Sequence, residues 1–125
     1  MRTYLLIACL AVLSPLPAIA AQSVSASSRT PAAEIDALID RVAKAKGVIF
    51  IRNGTEHTAA QAAEHLQRKR KAAGKRIATP EQFIEQLGTR SSVTGKAYRV
   101  RLPNGTEIDS AVWLNGLLRE VRAGR

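Results

Sequence analysis

The sequence predicts a small α+β domain in the order α-β-β-α-α-β-β-α, its helices packed on an antiparallel sheet. Three observations carry that expectation. Asn53-Gly54 and Asn104-Gly105 are tight-reversal dipeptides, each between two strand-like segments. Four other stretches place apolar residues at helical spacing, each beginning at a Ser, Thr or Asp that can cap a helix. The chain has 125 residues, the length of one domain rather than two.

Residues 1–20 read as a secretory leader. Arg2 supplies the positive start, Tyr4 to Leu13 is nearly all apolar, Ser14-Pro15-Leu16-Pro17 breaks any helix, and Ala18-Ile19-Ala20 is a small-x-small cleavage site. The apolar run is well short of the roughly 20 residues a membrane span needs, so export with cleavage near Ala20 fits better than an anchor. Leu6-Ile7-Ala8-Cys9 has the look of a lipoprotein box, but only eight residues precede Cys9 and the apolar segment runs on past it. Cys9 is the single cysteine. If it leaves with the leader, the mature chain has no disulfide, no thiolate metal site and no cysteine nucleophile.

Residues 21–29 are Ser/Ala-rich without periodicity and read as a disordered lead-in; the domain is expected over residues 30–122. Thr30 caps the first helix with Pro31 in its first turn. Ile35, Leu38, Ile39 and Val42 form its apolar stripe, Lys44 and Lys46 suit its last turn, and Gly47 is expected to end it. Val48-Ile49-Phe50-Ile51 reads as a strand buried on both faces, with Thr55 to His57 returning. Thr58 and Gln61 make a capping box for the second helix, whose Ala59, Ala62, Ala63 and Leu66 face inward and leave room for a close neighbour.

Thr79-Pro80-Glu81-Gln82 repeats the start signal for a short third helix, with Phe83, Ile84 and Leu87 inward and Gly88 closing it. Thr89 to Lys96 is a polar loop. Tyr98, Val100 and Leu102 alternate with Ala97, Arg99 and Arg101, a half-buried strand; Pro103-Asn104-Gly105 turns it and Thr106 to Ile108 returns. Asp109 or Ser110 caps the last helix, whose apolar face is Ala111, Leu114, Leu117, Leu118 and Val121, with Trp113 at its edge. The first and last helices have the best apolar faces and are expected on one side of the sheet. Asn53-Gly54-Thr55-Glu56 recurs as Asn104-Gly105-Thr106-Glu107. Hairpins reuse Asn-Gly; a duplication, with the two hairpins paired in one sheet about a pseudo-two-fold, is the other reading.

Without Arg2 the mature chain carries +8, one less than the +9 of the full chain. A small basic exported protein is drawn to anionic surfaces. Arg68-Lys69-Arg70-Lys71 with Gly74-Lys75-Arg76 is the largest single-sign feature: either a solvated helix end favourable beside C-terminal carbonyls, or an anion-binding patch that Arg99 and Arg101 extend. It has no interleaved aromatics for base stacking, and an exported chain is not expected to meet nucleic acid. His57 and His65 are the two histidines, each preceded by a glutamate, Glu56 and Glu64. Eight residues apart across a strand–helix boundary, they match no recognised zinc spacing, so neither metal nor cofactor is expected. Ser91 and Ser92 lack a Gly-x-Ser-x-Gly frame and read as turn residues. Thr94-Gly95-Lys96 has the wrong glycine spacing for a phosphate loop. The Asn-x-Thr tripeptides at Asn53 and Asn104 match a glycosylation acceptor but read better as turns.

The segment Phe50-Ile51-Arg52-Asn53-Gly54-Thr55-Glu56-His57-Thr58, then Glu64-His65-Leu66 and Lys69, resembles the YfeK-like family of small bacterial periplasmic proteins. Thr79, Glu81-Gln82-Phe83-Ile84, Ser91-Ser92-Val93-Thr94-Gly95-Lys96 and Tyr98 continue the similarity, which runs from about Glu34 to Val121. The resemblance implies an exported single-domain protein of unknown function, with no activity, cofactor or catalytic residue to carry over. It directs attention to Arg52, Asn53, Gly54, His57, His65, Lys69, Ser91, Ser92 and Gly95. Gly88 departs from the family, which tends to have a small non-glycine residue there.

Two function classes follow. One is a non-enzymatic periplasmic binding or accessory module for an anionic envelope component or an acidic protein partner, using Arg52, His57, His65, Arg68, Lys69, Arg70, Lys71, Lys75, Arg76 and Lys96. The other is a small periplasmic hydrolase built on His57 and His65 with Glu56 and the Ser91-Ser92 loop. It requires a histidine nitrogen within roughly 3 Å of a serine hydroxyl or a carboxylate, or able to close to it.

Overall fold

A computed structural model describes residues 29–125. The expected leader, its expected cleavage site near Ala20 and the expected lead-in as far as residue 28 lie outside those residues. Arg29, where the lead-in meets the domain, donates from Nη1 to the carbonyl of Val121 at 2.5 Å. The elements follow the predicted order: α1 (Pro31–Ala43), β1 (Ile49–Arg52), β2 (Thr55–Thr58), α2 (Ala59–Ala73), α3 (Pro80–Phe83), β3 (Arg99–Arg101), β4 (Glu107–Asp109) and α4 (Ser110–Arg122). Among these residues no helix is long and apolar enough to cross a membrane.

The two hairpins form one antiparallel sheet in the order β2-β1-β3-β4. Its inner face carries the row His57–Phe50–Val100–Ile108, in which Phe50 opposes His57, Val100 opposes Phe50 and Ile108 opposes Val100. The two members of the central pair, Phe50 and Val100, are buried. The outer face carries Ile49 and Ile51 among Arg99, Arg101, Glu56, Glu107 and Asp109. Arg101 pairs with Glu56 at 2.6 Å and with Glu107 at 3.1 Å, and Arg99 pairs with Asp109 at 2.6 Å. Ile49 and Ile51 are therefore only half-buried, screened by arginine stems rather than by a second layer. The strand is not covered on both faces as expected.

The expected pairing of the first and last helices on the sheet is also corrected: α2 and α4 touch the strands, and α1 packs on those two helices. The alanines of α2 explain this. Ala62 and Ala63 are buried and let the helix come close to strand and helix alike. Ile35, Leu38, Val42, Phe83, Val100 and Leu114, all but closed to solvent, make the centre of the core. Trp113 meets Phe50 edge-to-face at 5.2 Å between centroids.

Local chemistry sets the boundaries. Thr58 with Gln61, and Thr79 with Gln82, form full capping boxes. Thr30 caps α1, but the helix stops at Ala43, before Lys44 and Lys46. Gly47, with φ +73, is the third residue of a turn in which Val48 N–H bonds the Ala45 carbonyl at 3.4 Å; it serves that turn and not the helix end. The third helix loosens into a π turn over Ile84–Gly88. Its freed carbonyls are met by side chains, Ile84 by the Thr89 hydroxyl at 2.7 Å and Leu87 by Lys69 Nζ at 2.9 Å. Gly88 is buried and its φ is not positive. The helical run ends at Gly88 as expected, but a Cβ there would lie 2.6 Å from Leu114 Cδ1, so close packing and not a positive φ calls for the glycine.

Candidate functional site

A cleft of about 290 Å³ opens between the inner face of the first hairpin, α2 and the start of α4. Phe50, Leu66 and Tyr98 give it apolar walls, and Gly88 also lines it. Its polar side is Arg52 and His57 from the sheet, Gln61, Glu64, His65 and Arg68 from α2, and Ser110 at the start of α4. Strand alternation puts Arg52 on the same face as Phe50, and His57 is Phe50's cross-strand partner. On α2, Gln61, His65 and Arg68 stand at i, i+4 and i+7, one stripe beside the buried Ala62–Leu66 face.

Nη1 of Arg52 lies 2.6 Å from Nε2 and 2.7 Å from Nδ1 of His65. A guanidinium only donates, so the ring nitrogen that takes this bond must offer a lone pair. His65 is accordingly neutral: burial, then the positive fields of Arg52, Lys69, Arg68 and His57, lower its pKa to about 4. Lys69 donates to the Leu87 carbonyl at 2.9 Å and to the Tyr98 hydroxyl at 3.0 Å. Its Nζ is 4.9 Å from the Tyr98 ring centroid, so the contact is at the phenol oxygen rather than over the ring. Nε2 of His57 is buried and, among the described residues, has no hydrogen-bond partner. An unsatisfied buried polar atom costs about 1–3 kcal/mol, and very few survive in a folded domain without a reason.

Of the residues singled out in sequence, Arg52, His57, His65 and Arg68 line this cleft and Lys69 stands beside it. The rest of the basic run turns elsewhere. Arg70 pairs with Asp36 and donates to the Ala32 carbonyl, while Lys71, Lys75 and Arg76 are exposed beyond the cleft. Lys96 is exposed on the loop. Within the run from Arg68 to Arg76, Lys69 and Arg70 are thus taken up by partners inside the fold, and Arg99 and Arg101 are matched by carboxylates on the outer sheet face.

The hydrolase set is divided. Glu56 is on the outer face with Arg101. Ser91, buried, accepts from Val93 N–H and Thr94 N–H at 3.3 Å each and from Asn53 Nδ2 at 3.4 Å. Ser92 is exposed. The structure brings neither serine into the cleft lining. Among the described residues no cluster of three or more His, Cys, Asp or Glu side chains is placed to hold a metal.

Sequence reasoning missed Phe50, Gln61 and Tyr98 as cleft residues. Gln61 was readable: it continues the polar stripe of His65 and Arg68 back by one turn, but its capping role accounted for it first. Phe50 and Tyr98 read as core, and nothing local marks a core aromatic that also faces a void.

A family model described as a family of unknown function (DUF5329) matches residues 29–122. The uncharacterized protein YfeK of Salmonella typhimurium (strain LT2) is 41% identical over 66 residues, a stretch covering 53% of this chain and 55% of that protein. The match thus spans about half the length of the curated relative. No solved structure matches.

Proposed function

The chain belongs to DUF5329, and because that family carries no assigned activity, we propose from the site itself that the protein is an exported, non-enzymatic binding or accessory module whose cleft receives an anionic group of an envelope component or an acidic partner. The observation that carries this reading is Arg52, which lines the cleft and meets a neutral ring rather than a carboxylate. The ring of His57 lines the same cleft with Nε2 unpartnered and closed to water, so a ligand oxygen held by Arg52 would satisfy it once the ring turns toward the opening. Arg68 and Lys69 add positive field. The carboxylate on the cleft's α2 wall, Glu64, is 3.9 Å from Arg68 in an exposed i,i+4 pair, which leaves the cleft positive.

The hydrolase alternative has less support. It needs an activated hydroxyl, and the buried candidate, Ser91, spends its oxygen on a turn. Export rests on the leader pattern of residues 1–20. It is checked by the intact mass of the chain recovered from a periplasmic fraction: a start at Ala21 is expected, and a full-length cytoplasmic chain would refute export.

The binding reading is tested by affinity capture from an envelope extract with the wild type and with Arg52→Leu, both first shown to melt cooperatively. A component that elutes as salt rises and is lost with Arg52→Leu is expected, because an exposed charge contact is screened within about 8–10 Å in ordinary salt. Capture that survives near-molar salt, or that ignores Arg52, counts against it.

A further inference from the structure

The two halves of the fold give an internal reference for the cleft. Phe50 and Val100 are cross-strand partners on the sheet's central strands, and His57 and Ile108 are the matching outer positions of the same row. Arg52 follows Phe50 by two residues as Leu102 follows Val100. His65 lies seven residues past Thr58, which caps α2, as Gly116 lies seven past Asp109, which holds the N-cap position of α4 without the expected side-chain capping bond because its carboxylate is turned to Arg99. The positions that hold Arg52, His57 and His65 in the first half therefore hold Leu102, Ile108 and Gly116 in the second. There Leu102 and Ile108 simply pack against the core. The architecture is satisfied by apolar residues at these places, so the polar triple is not a requirement of folding.

Resting on the binding reading above, the geometry points to a small organic anion as the ligand: one carboxylate or phosphate-monoester head between the Arg52 guanidinium and the His57 Nε2–H, on an aromatic or branched apolar body lying against Phe50, Leu66 and Tyr98. Three features set that class. Arg52 can present the planar donor fork that suits carboxylate and phosphate oxygens, and it is not neutralised by a carboxylate among the described residues. His57 adds a second nitrogen, unpartnered and closed to water in this structure, that a turn of its ring would bring to the head. The volume of about 290 Å³ holds roughly ten water-sized groups, enough for a head and one ring but not for a polymer segment, and the walls beside the head are apolar. A free inorganic anion would leave those walls wet, and a neutral apolar molecule would leave Arg52 and His57 unmet.

The test is calorimetric titration of the purified wild type with benzoate, phenyl phosphate, inorganic phosphate and benzyl alcohol, with the His57 and His65 ring signals followed by NMR. Benzoate or phenyl phosphate should bind with a Kd of about 1 mM or tighter, roughly tenfold or more below both inorganic phosphate and benzyl alcohol, and should shift the His57 ring. Which of the two acids binds tighter decides between the carboxylate and the phosphate head. Arg52→Leu and His57→Ile, which import the second half's side-chain chemistry, should each weaken binding about tenfold while melting at or above the wild type. Arg52→Lys and His57→Gln give the same readout if either apolar variant fails to fold. Equal affinity for inorganic phosphate, equal affinity for benzyl alcohol, or unchanged affinity in the Arg52 variants would overturn the assignment. If none of the four probes binds yet envelope capture still depends on Arg52, this ligand class falls and the binding reading stands; if capture is also indifferent to Arg52, both fall.

Discussion

The two hairpins carry the same four residues, Asn-Gly-Thr-Glu, and build different turns from them. In the first, Arg52 pairs with Thr55 and only Asn53 and Gly54 lie between, both at positive φ, +51 and +77; this is the primed two-residue turn that matches strand twist. In the second, Pro103 precedes the tetrad. Its fixed φ and missing N–H start an ordinary turn instead: Gly105 N–H bonds the Leu102 carbonyl at 2.9 Å, Leu102 N–H bonds the Thr106 carbonyl at 2.8 Å, and Gly105 has φ +86. The loop gains a residue. The asparagine side chains differ in consequence. Asn104 accepts from Thr106 N–H at 2.9 Å within its own turn, whereas Asn53 accepts from the Thr94 hydroxyl at 2.6 Å and reaches Ser91, pinning the 89–96 loop beside the cleft. One preceding residue decides whether the same tetrapeptide closes on itself or holds a neighbour.

The same contrast runs through the interior, where the second half packs Ile108 in the place the first gives to His57. Exchanging the two tests it most severely. Ile108→His forfeits apolar burial and adds an imidazole with no partner, and should cost about 2–3 kcal/mol, lowering the melting temperature by roughly 10 °C or more. His57→Ile removes an unmet nitrogen and should gain about 1 kcal/mol. Thermal melts of both variants measure this. If Ile108→His is neutral, or His57→Ile destabilises strongly, the two positions are not equivalent and the polar triple belongs to the fold.

Much of this was legible beforehand because it is local. Every cap at Thr30, Thr58 and Thr79, both reversals and the apolar stripes of α1 and α4 depend on residues a few positions apart, and all appear where the spacing put them. The errors are long-range. Nothing near Val48–Ile51 says that one sheet face stays open. Nothing near Phe83 says that Thr89 and Lys69 will satisfy a π turn. Gly88 does end the helical run, but nothing near it says that Leu114, from another helix, needs its space. The site was half legible for the same reason. Arg52, His57 and His65 stood out as unusual residues, but their convergence depends on strand register and helix rotation together. Within the charge run, helical rotation sends Lys69 inward and Arg70 to Asp36, which a count of cations along the chain does not reveal.

Between the two asparagines the expected difference is smaller. Asn53→Ala puts a Cβ-bearing residue with no local hydrogen bond at φ +51 and cuts two contacts to the 89–96 loop, a loss of about 1–2 kcal/mol. Asn104→Ala, exposed and at an ordinary φ, should lose about 0.5 kcal/mol. Urea unfolding of each variant measures the pair. Similar losses would mean that the turn types, not the side-chain contacts, set the cost.

The smallest effect separates the halves by pH. His65 sits where the second half has Gly116, so only the first half carries a titrating ring at that position. Its folded pKa is lowered to about 4 from 6.5. Between those values the unfolded chain binds a proton that the folded chain refuses, so stability is full above about pH 6.5 and is lost as pH falls toward about 4. The ring is partly open to solvent, and screening limits the loss to about 1 kcal/mol. Carboxylates titrate over part of the same range, so the informative quantity is the difference from His65→Ala, in which Arg52, Arg68 and Lys69 have no ring to repel. Unfolding free energies at about pH 7.5 and pH 5 should fall further for the wild type than for His65→Ala. Equal falls would mean that the ring takes up its proton in place, and that Arg52 does not hold it neutral.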